Sequence, residues 1–293
     1  MDKFKLITDY KNNEKYRASF NELAIGTFGI DFEPWFQKGF WNENYICYSY
    51  VDGDKVISNI SVNKLEIMWK GQKKKAVQIG TVMTHPDYRK KGLVSSLMKI
   101  VLDEYEKDVD FIYLFAADNA LSLYLKFGFK PEIESTFSME LNVDKDPDTK
   151  LRKLDFSNKE DLNLIRKLAS ERTYISQKLG VKNDEHLILF YCLYVFSDNI
   201  YYLEEENTIV IFSIEDNELN LYDVLSKNSI NIESIILKIA SSKVKKVNFN
   251  FTPDLKFMKL EIKDLQKDDY TFLVKSLSVE TIDKFLFSET SHA

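Results

Sequence analysis

The chain lacks most of the features that would place it quickly. Its 293 residues include two cysteines, Cys47 and Cys192, with no CxxC partner and no histidines at metal spacing, so both read as buried packing residues. No apolar run is long enough to span a bilayer, and the N-terminus, MDKFKLITDY, has no signal-peptide core. A cytoplasmic protein with no membrane partner is expected. GxxxxGK[ST], GxGxxG and HExxH are all missing, so nucleotide hydrolases, dinucleotide dehydrogenases and zinc enzymes lose their usual signatures. The run Asp52, Gly53, Asp54 is too short for a calcium loop and fits a hairpin turn, so no metal is implied. A net charge of −6 argues against nucleic acid as a partner and suits a cationic amine.

What is present concentrates in residues 76–99. An apolar run ends in Val82, Met83 and Thr84, followed by His85 and Pro86 and then by Arg89, Lys90, Lys91, Gly92, Leu93 and Val94. From Gly92 onward Leu93, Val94, Leu97, Met98, Val101 and Tyr105 fall at helical spacing, with Ser95, Ser96, Lys99 and Asp103 on the other face. Strand, basic turn and helix start follow one another. The first N–H groups of a helix lack internal acceptors and carry the positive end of its dipole, so an anion docks there with little reorganisation. Arg89, Lys90 and Lys91 add full charges, and Gly92, without a Cβ, lets a phosphate approach the backbone. A second motif lies downstream at Asn119, Tyr124, Lys126, Phe127, Gly128 and Phe129.

On these two motifs, residues 1–142 resemble the GNAT superfamily of acyl-CoA-dependent N-acyltransferases. Arg89 to Val94 corresponds to the family's first motif, with Val94 departing from the usual small residue, and Asn119, Tyr124, Gly128 and Phe129 match its second. The resemblance implies acetyl-CoA as cofactor and an amine-bearing small molecule or peptide as acceptor. It implies that Val82, Met83 and Thr84 pair with the pantetheine arm, and that Arg89, Lys90, Lys91, Gly92, Leu93, Val94, Ser95 and Asn119 hold the rest. It also implies Tyr124 as the acid beside the leaving sulfur. The glutamate that many relatives carry on the preceding strand is missing, since Val77, Gln78, Ile79, Gly80 and Thr81 offer no carboxylate. A non-catalytic module that binds or senses acyl-CoA is the alternative.

With 44% hydrophobic and 29% charged residues the chain can build a sizeable core, and its length suggests about two domains. In 1–142, helices are expected at 12–27, 33–41, from Gly92, and at 121–126, with strands at 45–51, 55–68, 76–84, 111–115 and 136–141. This is an α/β domain with a mixed sheet. Residues 143–150, charged and holding Pro147, read as the linker. In 151–293, helices at 158–178 and 184–195, strands at 200–204, 208–214 and 218–224, a helix at 231–241 and a strand at 244–251 repeat the order of the first half. The turn before the last helix, Ser226, Lys227, Asn228, Ser229, has no glycine and one basic residue. Either the second half is a duplicated domain without its cofactor motif, ending in a C-terminal tail, or it is an unrelated α+β domain.

Two such halves resemble the enhanced-intracellular-survival acetyltransferases, and 293 residues leave none for the third, sterol-carrier-like domain of those proteins. That resemblance implies the C-terminal carboxylate, here on Ala293, as the base, with Glu66 or a water chain as substitutes. His85 is expected in a turn, His186 in packing, and His292 beside the terminal carboxylate. Phe28, Phe32, Trp35, Phe36, Phe40 and Trp41, with Asp31, Glu33 and Glu43, either line an acceptor cleft or pack a helical pair on the sheet. A homo-oligomer is left open.

Overall fold

The computed structural model describes residues 3–229, 231–266, 270–276 and 283–293. The first half runs β1 (Lys5–Thr8), α1 (Glu14–Phe28), α2 (Glu33–Gln37), β2 (Tyr45–Asp52), β3 (Lys55–Trp69), β4 (Gln72–Thr84), α3 (Leu93–Tyr105), β5 (Phe111–Ala117), α4 (Leu121–Leu125), β6 (Lys130–Pro131) and β7 (Ser135–Glu140). The second runs β8 (Leu151–Lys153), α5 (Lys159–Glu171), β9 (Leu179–Lys182), α6 (Glu185–Tyr194), β10 (Ile200–Leu203), β11 (Thr208–Glu215), β12 (Glu218–Ser226), α7 (Ile232–Ile239), β13 (Lys246–Phe249), β14 (Glu261–Asp264) and β15 (Tyr270–Ser276). Local chemistry sets many of these limits. The Asn13 side chain caps α1 by accepting the Tyr16 N–H, and Gly29, in a left-handed conformation, ends it.

Two mixed sheets result. The first has the order β1-β2-β3-β4-β5-β15-β6 with β9 added alongside β3, and the second the order β14-β7-β13-β12-β11-β10-β8. Each contains one parallel pair joined by a helical crossover, β4 with β5 through α3 and β12 with β13 through α7. The repeated element order expected from the sequence is therefore present: two α/β units, each a mixed sheet with one helical crossover.

The sheets nevertheless trade strands across residues 143–150. β7, the strand expected to close the first half, pairs with β13 of the second sheet, while β9 and β15, from the second half, pair with β3 and β5 of the first. The long helix expected over 158–178 is also corrected. It ends at Glu171 because Arg172 leaves helical geometry and buries its guanidinium between Asp184 and Asp223. Residues 173–178 then lead into β9.

The early aromatic cluster settles as packing. Phe32, Trp35, Phe40 and Trp41 are buried in one core with Phe156, Ile188 and Leu189 from the second half. Trp35 donates its indole N–H to the His186 carbonyl at 3.0 Å, and Phe40 meets Phe156 edge-on at 5.9 Å. These rings join the two halves; Phe28 stays exposed on α1. Cys47 and Cys192 are buried and free, and burial pushes the Cys47 thiol up to about 12. No helix among the described residues is long and apolar enough to cross a membrane.

Candidate active site

β4 and β5 pair only from Ala76↔Phe111 to Gln78↔Tyr113, and beyond that point the two strands have no ladder between them. The separation coincides with a bulge in β4. Ser61 pairs with Gly80 and Asn59 with Met83, so Thr81 and Val82 together face Ile60, and Thr81 takes φ +47°. Asn59 donates its side-chain amide to the Thr81 carbonyl at 2.8 Å, and Ser58 donates its hydroxyl to the Met83 carbonyl at 3.1 Å. With those carbonyls turned toward β3, strand alternation leaves the Val82 peptide groups facing the gap. The result is a wedge with free main-chain groups along one wall.

The basic turn lies at the end of this wedge. Gly92 (φ +76°) and Lys90 (φ +61°) are left-handed, and no side chain caps α3. Ser96 N–H is the first to bond within the helix, to Gly92 O at 3.0 Å, so the amides of Leu93, Val94 and Ser95 are left for another acceptor. Lys90, Lys91 and Gly92 are exposed, as is Arg89, whose Nε donates to the Thr84 carbonyl at 3.3 Å. Lys91 lies over the Tyr88 ring. His85 forms the turn as expected, accepting the Asp87 N–H on Nδ1 and lying 2.9 Å from Lys55 Nζ through Nε2. This cradle is what a coenzyme A pyrophosphate requires, so the residues present fit that group.

Asn119 lies exposed in a 3₁₀ turn directly after β5. Tyr124, on α4, packs with Phe129 and the α3 face; burial pushes its hydroxyl up to about 12, and that hydroxyl has no hydrogen bond among the described residues.

On the opposite face of β4 the chain end arrives. A methyl group placed on Gly80 would stand 2.8 Å from Ala293 Cβ and 2.9 Å from its carbonyl carbon. Ala293 therefore occupies the space a strand side chain would have filled. Ala293 is exposed, whereas Thr290 and Ser291 are fully buried. His292 stacks on Phe115 at 3.8 Å between ring centres, and burial pushes its imidazole down to about 4. Glu66 is elsewhere: it accepts a hydrogen bond from Tyr174 and pairs with Lys75 across the β3/β4 ladder, five residues or about 17 Å along the strand from Gly80. His186 is packing, with Nε2 2.9 Å from Asn63 Oδ1.

A cavity of about 670 Å³ opens beside this point, lined by Phe115 and His292 on one side and by Glu134, Phe137, Tyr191 and Glu289 on others. Glu134 accepts the Phe287 N–H at 2.9 Å, and burial pushes its carboxyl up to about 7. Burial also raises Glu289. Neither carboxyl has a cation partner among the described residues. Sequence reasoning did not find Glu134, Gly80 or the wedge; of these only the missing side chain at Gly80 left a trace in the strand pattern.

Residues 11–131 match the family model described as the acetyltransferase (GNAT) domain. Over this segment the chain is similar to GNAT acetyltransferase domains. A probable N-acyltransferase of unknown function from Enterococcus faecalis V583 superposes at a TM-score of 0.60 and 16% identity, over 93% of this chain and 72% of that one. A GCN5-related N-acetyltransferase from Kribbella flavida gives 0.55 and 14%, over 93% and 72%. Eis1 from Mycobacterium abscessus gives 0.56 and 9%, over 92% and 73%. At these identities the likeness is one of fold, and it extends through both halves. No curated protein matches the chain in sequence. Acetyltransferases of the GNAT type take their acyl group from acyl-CoA, which agrees with the uncapped start of α3.

Proposed function

We propose that the protein is an N-acetyltransferase that transfers the acetyl group of acetyl-CoA directly to a primary amine of a small molecule or peptide. The observation that carries this reading is the meeting of two features at the β4 bulge: the open wedge leading to α3 on one side and Ala293 against Gly80 on the other. In this reading Leu93, Val94 and Ser95 donate their amides to the pyrophosphate, with Arg89, Lys90 and Lys91 around it. Val82, Met83 and Thr84 line the pantetheine arm, and Asn119 stands at its far wall. Acetyl-CoA supplies an activated thioester carbonyl.

The acceptor amine occupies the cavity, where Glu134 and Glu289 favour its ammonium form. For attack the amine must be neutral, so Ala293 takes a proton through its terminal carboxylate as the nitrogen bonds to the carbonyl carbon. A Val82 main-chain N–H faces the oxygen that gains charge. The carbon–sulfur bond then breaks, and Tyr124, held protonated by its burial, gives its proton to the departing thiolate.

Free-thiol release from acetyl-CoA, measured over a panel of polyamines, amino sugars and peptides, tests the reading. Turnover on at least one amine is expected, with Tyr124→Phe lowering kcat on the order of 100-fold and leaving acetyl-CoA affinity unchanged. Thermal stabilisation by acetyl-CoA with no turnover on any amine would instead favour a sensing module.

A further inference from the structure

The second half repeats the first down to its irregularities. β12 and β13 run parallel from Glu218↔Lys246 to Leu221↔Phe249 and then lose their ladder, as β4 and β5 do. β12 also bulges at the equivalent place: Ile211 pairs with Asp223 and Phe212 with Leu221, leaving Tyr222 extra. The second half therefore has its own wedge beyond Leu221 and Phe249.

The helix start that would serve this wedge is closed to an anion. The Asn231 side chain accepts the Ser234 N–H, and Glu233 places a carboxylate in the first turn of α7, where it accepts the main-chain N–H groups of Lys256, Phe257 and Met258 at 3.1, 2.7 and 2.8 Å. A negative charge and a side-chain cap stand where α3 presents bare amides. Chain fills the wedge instead. On the β13 side Thr252 N–H donates to Leu286 O at 3.0 Å and Glu289 N–H to Asn250 O at 3.2 Å. On the β12 side Ser288 Oγ donates to Tyr222 O at 3.4 Å, and Thr290 Oγ1 donates to Asp223.

We infer that the second wedge, unable to take a cofactor, serves as a holder for the C-terminal segment Leu286–Ser291 and so sets the position of Ala293 at Gly80. The fixed point is a buried clamp. Arg172 reaches Asp223 at 2.8 and 3.0 Å, Asp184 at 2.5 Å and the Val181 carbonyl at 2.8 Å, and all three charged side chains are essentially inaccessible. Asp223 receives the Thr290 hydroxyl and Asp184 the Ser291 hydroxyl, the latter at 3.2 Å. These carboxylates cannot turn away, because Arg172 holds them from the other side. Two residues beyond Ser291 the chain reaches Gly80. Thr290, Ser291 and Asp223 are thus positioning residues for the reaction in the first half. The inference rests on the proposed role of the terminal carboxylate.

The test is the double variant Thr290→Val and Ser291→Ala, which leaves the Arg172 clamp whole, with Thr290→Ser as the conservative control. Carboxypeptidase Y should remove Ala293 and His292 roughly tenfold faster from the double variant than from the parent or the control, and kcat should fall roughly tenfold or more, with the KM for acetyl-CoA within about twofold. Parental protease resistance in a folded double variant would overturn the holder. A freed tail with parental kcat would overturn the positioning role. A parallel protein extended by one glycine after Ala293 separates the two readings. If that extension leaves turnover intact, the terminal base is wrong, while the protease result still decides the holder.

Discussion

Glu134 shows how much one side chain can report. Burial raises its carboxyl to about 7, so the folded protein holds that proton more tightly than the unfolded chain does. The group therefore costs nothing while both states are protonated, and it destabilises the fold as pH rises from the ordinary carboxylate range through 7, by about 3 kcal/mol in total. Urea midpoints measured at about pH 5 and about pH 8 should show this loss, and Glu134→Gln should remove most of the difference while its amide oxygen still accepts the Phe287 N–H. A cationic acceptor in the cavity should pull the same carboxyl back down. At this scale the sequence was most legible where chemistry is local: Arg89, Lys90, Lys91 and Gly92 stand as their spacing implied, because a turn and a helix start depend on near neighbours. Glu134 was not legible, since its burial comes from a tail some 150 residues away.

Among elements, β4 decides the site. Its bulge opens the wedge on one face, and its glycine admits the chain end on the other. Gly80→Ala tests the second function: Gly80 is not among the left-handed glycines, so the added methyl is harmless to the backbone, and the three nearest atoms it meets all belong to Ala293. We expect kcat to fall roughly tenfold or more with acetyl-CoA binding by calorimetry unchanged, because the wedge and the α3 amides are untouched. The apolar run ending at Thr84 announced this strand, and α1, α2, β2, β3, α3, β5 and α4 all formed within a few residues of where periodicity put them. β1, β6, β8, β9, β14 and β15 were missed. All but β15 have four residues or fewer, such as Glu261–Asp264, too few for a local pattern to mark, and the partner of β15 lies some 150 residues away along the chain.

For the whole molecule the traded strands matter most. Residues 1–142 read as a self-sufficient domain in sequence, yet their β5 edge is completed by β15, and their β7 belongs to the other sheet. A fragment of residues 1–142 should therefore fail to fold alone, whereas the same fragment produced together with 143–293 should associate and regain acetyl-CoA binding, as size-exclusion chromatography and calorimetry would show. Heating the intact protein should give one calorimetric transition, because neither sheet survives loss of the other. The buried Arg172 clamp and the aromatic core around Trp35 act in the same direction.

The pairing of Phe111–Ala117 with Tyr270–Ser276 also has a cost in time. During synthesis at about 5–20 residues per second, β5 leaves the ribosome on the order of 10–30 s before the strand that covers it. Throughout that interval a nascent chain carries a bare, strongly apolar strand edge. The first sheet thus cannot be finished until the last strand has emerged, and until then that edge is open to wrong pairing.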